Sequence, residues 1–473
     1  MSTTKRVSPQ QRGLVAETGL LCAFVLISCG VIILGILSQE QAAWATLICL
    51  LLVLFAAWKR FDRGMHLGFL FLIFLFLFQA GRLVAYVLQE NPWPFLITYS
   101  SVPFDVSDAT SRMVMVVVIS AALSVYVTCV LLYKGSDSAA KQRRREPNWV
   151  KWISIVFWVS VPFHLYKTID YFLFTRDNGG YIAIYTSGGE HLASPLVRIL
   201  SQVCFATFIM IFVAHRKDKN FWAATMVMAA ATVIELFTGL RGKALLMFVC
   251  FYFFYKLKKA TGFGLVESVV LVSAITFVAL ATAIFRENLD RGLGGIVEFV
   301  NGQGISMHVT ALAVELQNDF APNALSYLIN QITLPFVPAD PTTLGRLFVV
   351  DYATMLNPTA LRNGFALGST YLADAYLLGG LIAVVIVSVL VGLVLHFLNE
   401  MLLSSSVLKA AIALSAATTI LYLPRAGLVE SFVSTLRTGL LIVAIMILCQ
   451  YLARIRIHMK TDSLNNDLES VVS

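Results

Sequence analysis

Apolar runs, most of them about 17 to 24 residues long, recur along this 473-residue chain and are separated by short polar loops. An α-helix needs roughly 20 residues to cross a hydrocarbon layer about 30 Å thick, so the runs have the length of membrane spans. In lipid every backbone N–H and C=O must be satisfied inside the protein, which restricts a spanning segment to a helix or a strand of a closed barrel. The runs lack the alternation of barrel strands, which leaves helices. Composition agrees: 58% of residues are hydrophobic, 13% are charged and the mean hydropathy is +0.79, more apolar surface than a fold in water could cover. The expected fold class is an all-α polytopic integral membrane protein.

Twelve spans are expected, near residues 18–37, 42–58, 65–88, 112–133, 152–174, 197–214, 221–238, 243–256, 265–285, 371–397, 407–423 and 430–452. An even number returns the C-terminus to the side of the N-terminus. The net charge of +8 would suit a nucleic-acid binder, but 22 of the 35 lysines and arginines lie in the two tails, at Lys409, and in the short loops Lys59–Gly64, Tyr133–Lys151, His215–Asn220 and Lys256–Gly264. The positive-inside rule makes that side cytoplasmic, and no nucleic-acid partner is expected. The first run, Leu20–Leu37, is too long for the core of a cleaved signal peptide and is expected to remain as an anchor. Cys22, Cys29, Cys49, Cys129, Cys204, Cys250 and Cys449 all lie inside apolar runs without Cys-x-x-Cys spacing, which fits packing rather than disulfides or zinc.

The opposite face takes the long connections: Gln89–Ser111, Thr175–Arg198, and the stretch from Arg286 to Thr370. The chain thus divides into an N-terminal bundle of about nine helices (1–285), a long, partly helical loop (286–370), and about three C-terminal helices with a tail (371–473). A loop this long with internal pattern is usually functional. Its apolar piece Leu325–Val337 is too short to cross a bilayer, so helices lying on or dipping into the outer interface are expected. No repeat of fixed period is visible.

Cations stand where a bilayer should reject them. Phe237-Thr-Gly-Leu-Arg-Gly-Lys-Ala-Leu-Leu-Met247 places Arg241 and Lys243 at the tip of a hairpin running from Phe221 to Tyr255. Each arm is about 17 residues, or roughly 26 Å, so the tip barely reaches the far boundary. An arginine near the centre of a span costs about 2.5 to 3.5 kcal/mol and less toward its edge, and an anion would offset that cost. Arg286 and Arg291 leave the ninth span in Ile284-Phe-Arg-Glu-Asn-Leu-Asp-Arg291, and Arg425 caps another hairpin. In the last helix Glu430, Ser434 and Arg437 fall at i, i+4 and i+7, on one face. Arg346, Arg362, Tyr352 and His308 in the long loop add polar groups on the same side.

Guanidinium binds phosphate through two parallel charge-assisted hydrogen bonds and stays ionised at any relevant pH. A lipid-linked diphosphate, with its tail in the bilayer and its head at the arginine level, fits the pattern. Any one of these arginines has a plainer account in snorkelling or in a neighbouring acid: Arg286 with Glu287, Arg291 with Asp290, Arg241 with Glu235. Lys167 and Asp170 read as a structural i, i+3 pair, Arg82 inside the third span reads either way, and His308 alone reads more often as a packed residue than as a base. Five or six arginines on one face favour the ligand. There is no Asp-x-Asp, Asp-Asp-x-x-Asp, His-Glu-x-x-His or Gly-x-Ser-x-Gly, and Gly292-Leu-Gly-Gly295 lacks the setting of a nucleotide loop, so neither a metal nor another cofactor is expected.

Thr238-Gly-Leu-Arg-Gly242 between two spans, an arginine-bearing exit from the next span into a large loop, Asn363-Gly-Phe-Ala-Leu-Gly-Ser-Thr-Tyr371 running on to Asp374-Ala-Tyr-Leu-Leu-Gly-Gly380, and the closing Arg425-Ala-Gly-Leu-Val-Glu-Ser-Phe-Val-Ser-Thr-Leu-Arg437 carry a resemblance. On these stretches the chain resembles the Wzy-type O-antigen and enterobacterial common antigen polymerases, which join oligosaccharide repeat units for bacterial surface polysaccharides. The resemblance implies a GT-C-like transmembrane glycosyltransferase architecture shared with O-antigen ligases, in the bacterial inner membrane. It implies metal-independent transfer of the growing glycan from undecaprenyl diphosphate to the non-reducing sugar of a new undecaprenyl-diphosphate-linked unit, at the periplasmic face. Under it Arg241, Arg286 or Arg291, and Arg425 neutralise the departing diphosphate, while Arg437 and Arg346 position the acceptor, with Lys243, Tyr352, Arg362 and Ser434 as further binding groups. His308 and Glu430 both have chemistry suited to taking the proton of the attacking hydroxyl. The implied partners are the lipid-linked oligosaccharides and membrane lipids, with a chain-length regulator and a flippase as candidates. An O-antigen ligase and a flippase for the same sugars are the competing readings, followed by a non-catalytic assembly subunit. A flippase would place charge at the bilayer midplane and show pseudo-symmetric halves, whereas these charges crowd one face.

Overall fold

The computed structural model describes residues 9–89, 95–99, 102–133, 149–178, 193–214, 219–238, 241–259, 261–264, 267, 300–333, 348–359 and 368–472. In chain order the elements are α1 (Pro9–Ile33), α2 (Gln39–Arg60), and then α3 (Leu67–Leu75), a π-helical turn (Phe76–Ala80) and α4 (Gly81–Gln89), which run on as one span. A short antiparallel hairpin follows, β1 (Leu96–Tyr99) with β2 (Val102–Asp105), pairing Leu96 with Asp105 and Tyr99 with Val102. Next come α5 (Asp108–Leu132), α6 (Val150–Asp177), α7 (Pro195–Ala214), α8 (Lys219–Phe237) and α9 (Arg241–Lys259). The long loop contributes α10 (Ser306–Glu315), α11 (Gln317–Phe320), a 3-10 turn (Ala321–Asn323), α12 (Ala324–Thr333) and α13 (Phe348–Leu356). The chain closes with α14 (Tyr371–Leu403), α15 (Val407–Ile420), a 3-10 turn (Leu423–Arg425) and α16 (Leu428–Val472).

Nine helices among the described residues are long and apolar enough to cross a membrane, so the chain has the all-α, polytopic class that its apolar runs require. They correspond to nine of the twelve expected runs. Runs 152–174 and 243–256 are also helical, as α6 and α9, but are not among the nine; α6 carries Lys167 and Asp170, and α9 carries Arg241, Lys243 and three lysines in its last turn. Run 265–285 lies outside the described residues. The cysteines are all free, and six of the seven are buried, as packing residues should be.

The chain forms two compact units. The first comprises residues 1–136, 261–397 and 421–431. Its centre is α5, where Val114 to Ile119 are all buried; six consecutive residues point to every side of a helix, so protein surrounds it there. α1, α2, α3 and α10 pack around it. Gly392 admits α14 to the same core, because a Cβ there would sit 2.8 Å from the Cβ of Thr128. Local chemistry sets where these helices begin. Ser38 and Gln41 form a reciprocal capping box at the start of α2, His66 Nδ1 accepts from Gly68 N at 3.0 Å at the start of α3, and Ser107 caps α5. α14 is broken at Gly379–Gly380, where Gly380 has φ +62°, a conformation that favours glycine.

The second unit comprises residues 137–260, 398–420 and 432–473. α6 lies along α7, α8 packs on both, and α9 packs on α8 and α15. Phe208, Phe212, Phe221, Phe251 and Phe254 interlock as a ring cluster in its core. The expected cationic hairpin is present as α8 and α9, each of 19 residues, with Arg241 opening α9.

Candidate active site

The first unit assembles a polar cluster from segments remote in sequence. The third span is widened by the π-helical turn Phe76–Ala80, a feature that recurs at functional sites. Within it, fully buried Gln79 donates from Nε2 to the carbonyl of Pro424 at 2.7 Å and accepts from Thr310 Oγ1 at 3.1 Å. Thr310 Oγ1 is 3.2 Å from Thr370 Oγ1, which in turn accepts from Ala373 N at 3.0 Å in the first turn of α14. The side chains of Gln79, Thr310 and Thr370, taken out of water, each have a partner, as burial requires.

Arg82, one turn beyond Gln79, donates from Nη1 to Nε2 of His308 at 2.7 Å. A guanidinium can only donate, so Nε2 is the acceptor and the imidazole proton resides on Nδ1. The buried Nε–H of Arg82 has no hydrogen-bond partner among the described residues. The contact depends on two glycines. A Cβ on Gly81 would sit 2.6 Å from the carbonyl oxygen of Val300, and one on Gly304 would collide with the backbone nitrogen of Arg82.

Arg425 ends the 3-10 turn between two spans. Its Nη1 donates to Gln303 Oε1 at 2.6 Å, and its guanidinium lies 5.5 Å from the centroid of the Phe78 ring. The turn is fastened on both sides: Gln79 holds Pro424, and the carboxylate of buried Asp374 accepts from Leu428 N at 2.8 Å. Asp374 also accepts from Ser369 Oγ at 3.0 Å and from Gln331 Nε2 at 3.4 Å, while Gln331 Oε1 accepts from Val429 N at 3.3 Å. Among the described residues neither Arg82 nor Arg425 has a carboxylate partner, and the ion pairs are Lys59–Glu17 and Arg176–Asp177, both exposed. Two guanidinium groups bound to neutral acceptors keep their charge and spare donors for an anion.

Of the residues expected in the site, His308 and Arg425 belong to this cluster. Glu430 is exposed in the first turn of α16, and Ser434, half-buried, and Arg437, exposed, follow on the same helix. Tyr352 is buried and stacked on Phe348, centroids 5.8 Å apart, in an aromatic group with Phe320 and Tyr327. There the Tyr327 hydroxyl donates to Asp351 Oδ2 at 2.9 Å, and burial pushes the carboxyl of Asp351 above its usual range. Arg241 and Lys243 occupy the first turn of α9, but their side chains lie outside the described residues, as do Arg286, Arg291, Arg346 and Arg362. Lys167 lies 5.8 Å from the centroid of the Tyr171 ring.

Gln79, Gln303 and Gln331 were not singled out from the sequence, and Asp374 stood there only as the start of the stretch Asp374–Gly380, without a role of its own. Gln79 and Arg82, two strongly polar residues one turn apart in an apolar span, carry a signal that could have found them. Nothing local links Gln303 to Arg425.

No curated protein and no solved structure matches the chain. The family model of the O-antigen polysaccharide polymerase Wzy matches residues 20–455, nearly its whole length, and the chain therefore belongs to that family of membrane-embedded repeat-unit polymerases, enzymes of the glycosyltransferase type that act on lipid-linked oligosaccharides.

Proposed function

We propose that the enzyme transfers a growing glycan from undecaprenyl diphosphate to the non-reducing end of a new undecaprenyl-diphosphate-linked unit, at the periplasmic face of the inner membrane and without a metal ion. The single observation that supports this most is the pair Arg82 and Arg425, two guanidinium groups held by neutral partners in one cluster that also contains His308. In the reaction the acceptor hydroxyl oxygen bonds to the anomeric carbon and the bond from that carbon to the diphosphate oxygen breaks. The hydroxyl proton passes to a base, and undecaprenyl diphosphate leaves with its new charge facing the arginines. Preorganised donors aimed at developing charge are commonly worth several kcal/mol in such a step.

Of the two candidate bases we favour Glu430. His308 already has its Nε2 lone pair engaged by Arg82 and its Nδ1 protonated, whereas Glu430 is an exposed carboxylate five residues beyond Arg425. We assign Arg241, Arg286 or Arg291 to the departing diphosphate, and Arg346, Arg362, Arg437, Lys243 and Ser434 to the acceptor; Tyr352, buried against Phe348, is left out of that set. A twelve-span, GT-C-like layout with both termini cytoplasmic and 286–370 periplasmic accommodates these roles. The positively charged short loops support that orientation.

Arg425→Ala is expected to remain in the membrane while surface glycan falls to a single repeat unit, with kcat lowered about a hundred- to a thousandfold in reconstituted protein. Glycan of unchanged length in that variant would sink the assignment of Arg425. Deleting the whole gene separates the classes: single-repeat glycan means polymerase, full-length polymer stranded on its carrier means ligase, and untranslocated units mean flippase.

A further inference from the structure

Eight residues of α12 divide among three surroundings. Ala324, Tyr327 and Gln331 form one sector that faces protein: Ala324 and Tyr327 are buried, Tyr327 bonds to Asp351, and Gln331 bonds to Asp374 and Val429. Leu325, Ile329 and Ile332, at i, i+4 and i+7, form a second sector that is open, 65%, 50% and 47% exposed. Ser326, exposed, and Asn330, half-buried, form a third, polar sector on the remaining side. A helix with only two surroundings, protein and water, has no use for an exposed apolar stripe separate from an exposed polar one.

The hydrogen bonds of Gln331 fix the level at which α12 lies. Val429 is in the first turn of α16, at the start of a membrane span, and Asp374 is in the short segment of α14 ahead of its break at Gly379–Gly380. A ten-residue helix is only about 15 Å long, so α12 as a whole stays near the ends of these two spans. Past the break, α14 continues the apolar exposure with Ile382, Ile386 and Leu390.

We infer that α12 is an interfacial helix whose Leu325–Ile329–Ile332 stripe is seated in the acyl chains of the bilayer leaflet on the side of the Arg425 turn. Its third sector faces water and its first sector grips the protein. Because Gln331 also bonds the first turn of α16, the lipid surface and the arginine turn are joined through one side chain. The inference rests on the membrane spans and not on the reaction assigned above.

The test uses the full-length protein in nanodiscs of phosphatidylethanolamine and phosphatidylglycerol, with and without acyl chains brominated near the glycerol end. Tryptophan is introduced singly as Leu325→Trp, Ile329→Trp, Ile332→Trp and Ser326→Trp, and the emission of the parent protein is subtracted. The brominated lipid is expected to remove the added emission at 325, 329 and 332 and to leave that at 326. Equal quenching at all four positions, or none on the stripe, overturns the inference. So does a disulfide between copies through Ile329→Cys, which would mean that a second copy covers the stripe. Fluorescence reads no activity, so failure here is distinct from failure of the polymerase mechanism.

Discussion

Arg82 and Arg425 each donate to a neutral acceptor, Nε2 of His308 and Oε1 of Gln303, and among the described residues neither meets a carboxylate. A planar guanidinium can keep such a bond and still present a second edge to phosphate, which an ammonium cannot. Arg82→Lys is therefore expected to keep the charge and lose most of the activity, with a larger fall in kcat than rise in KM, measured with purified lipid-linked units. His66, outside the spans, supplies a pH prediction. Burial, reinforced by the nearby His396, lowers its pKa from 6.5 to about 3, so the folded protein keeps the ring neutral where the unfolded chain protonates it. The unfolded state then binds more protons, and stability falls as pH drops below about 6.5. His66→Asn keeps a capping acceptor for Gly68 and should lose less melting temperature than the parent between about pH 7.5 and about 5.5.

The turn carrying Arg425 owes its position to elements that are not adjacent to it in sequence. The π-helical turn of the third span brings Gln79 to Pro424, and the broken start of α14 brings Asp374 to Leu428. Asp374→Ala would leave three donors, from Leu428, Ser369 and Gln331, without their acceptor, at about 1 to 3 kcal/mol for each donor left unsatisfied. The expected result is a lower melting temperature together with loss of polymerisation, while Asp374→Asn, which retains an acceptor, should recover part of both. The existence of most helices was legible in the sequence, because apolar length and the capping residues Ser38 and Ser107 are local signals. The π-helical turn was not, since Phe76 to Ala80 read as an ordinary continuation of an apolar helix. The break in α14 was not anticipated either, although Gly379-Gly380 marks it.

Taken as one chain in a bilayer, the protein has nine described helices suited to span it and a long loop that returns to the ends of two of them. The proposed topology predicts that alkaline phosphatase fused after Asn178 is active, on the periplasmic side, and that the same enzyme fused after Lys259 is inactive. The reverse pattern would place the arginine turn in the cytoplasm and remove the periplasmic reaction.

The apolar runs alone were sufficient to specify a helical membrane protein, because partition into lipid is summed along a contiguous segment and needs no knowledge of its neighbours. They also marked Arg425 as a residue out of keeping with its surroundings, whereas His308, in the long loop, read more often as a packed residue. Which groups those residues meet was settled only by packing. Arg82 and His308 are 226 residues apart and Gln79 and Pro424 are 345 apart, and each pair is joined by a hydrogen bond that depends on distance and direction to tenths of an ångström. No periodicity along a chain encodes such a distance; it exists only once the glycines at 81 and 304 have let two backbones close on each other.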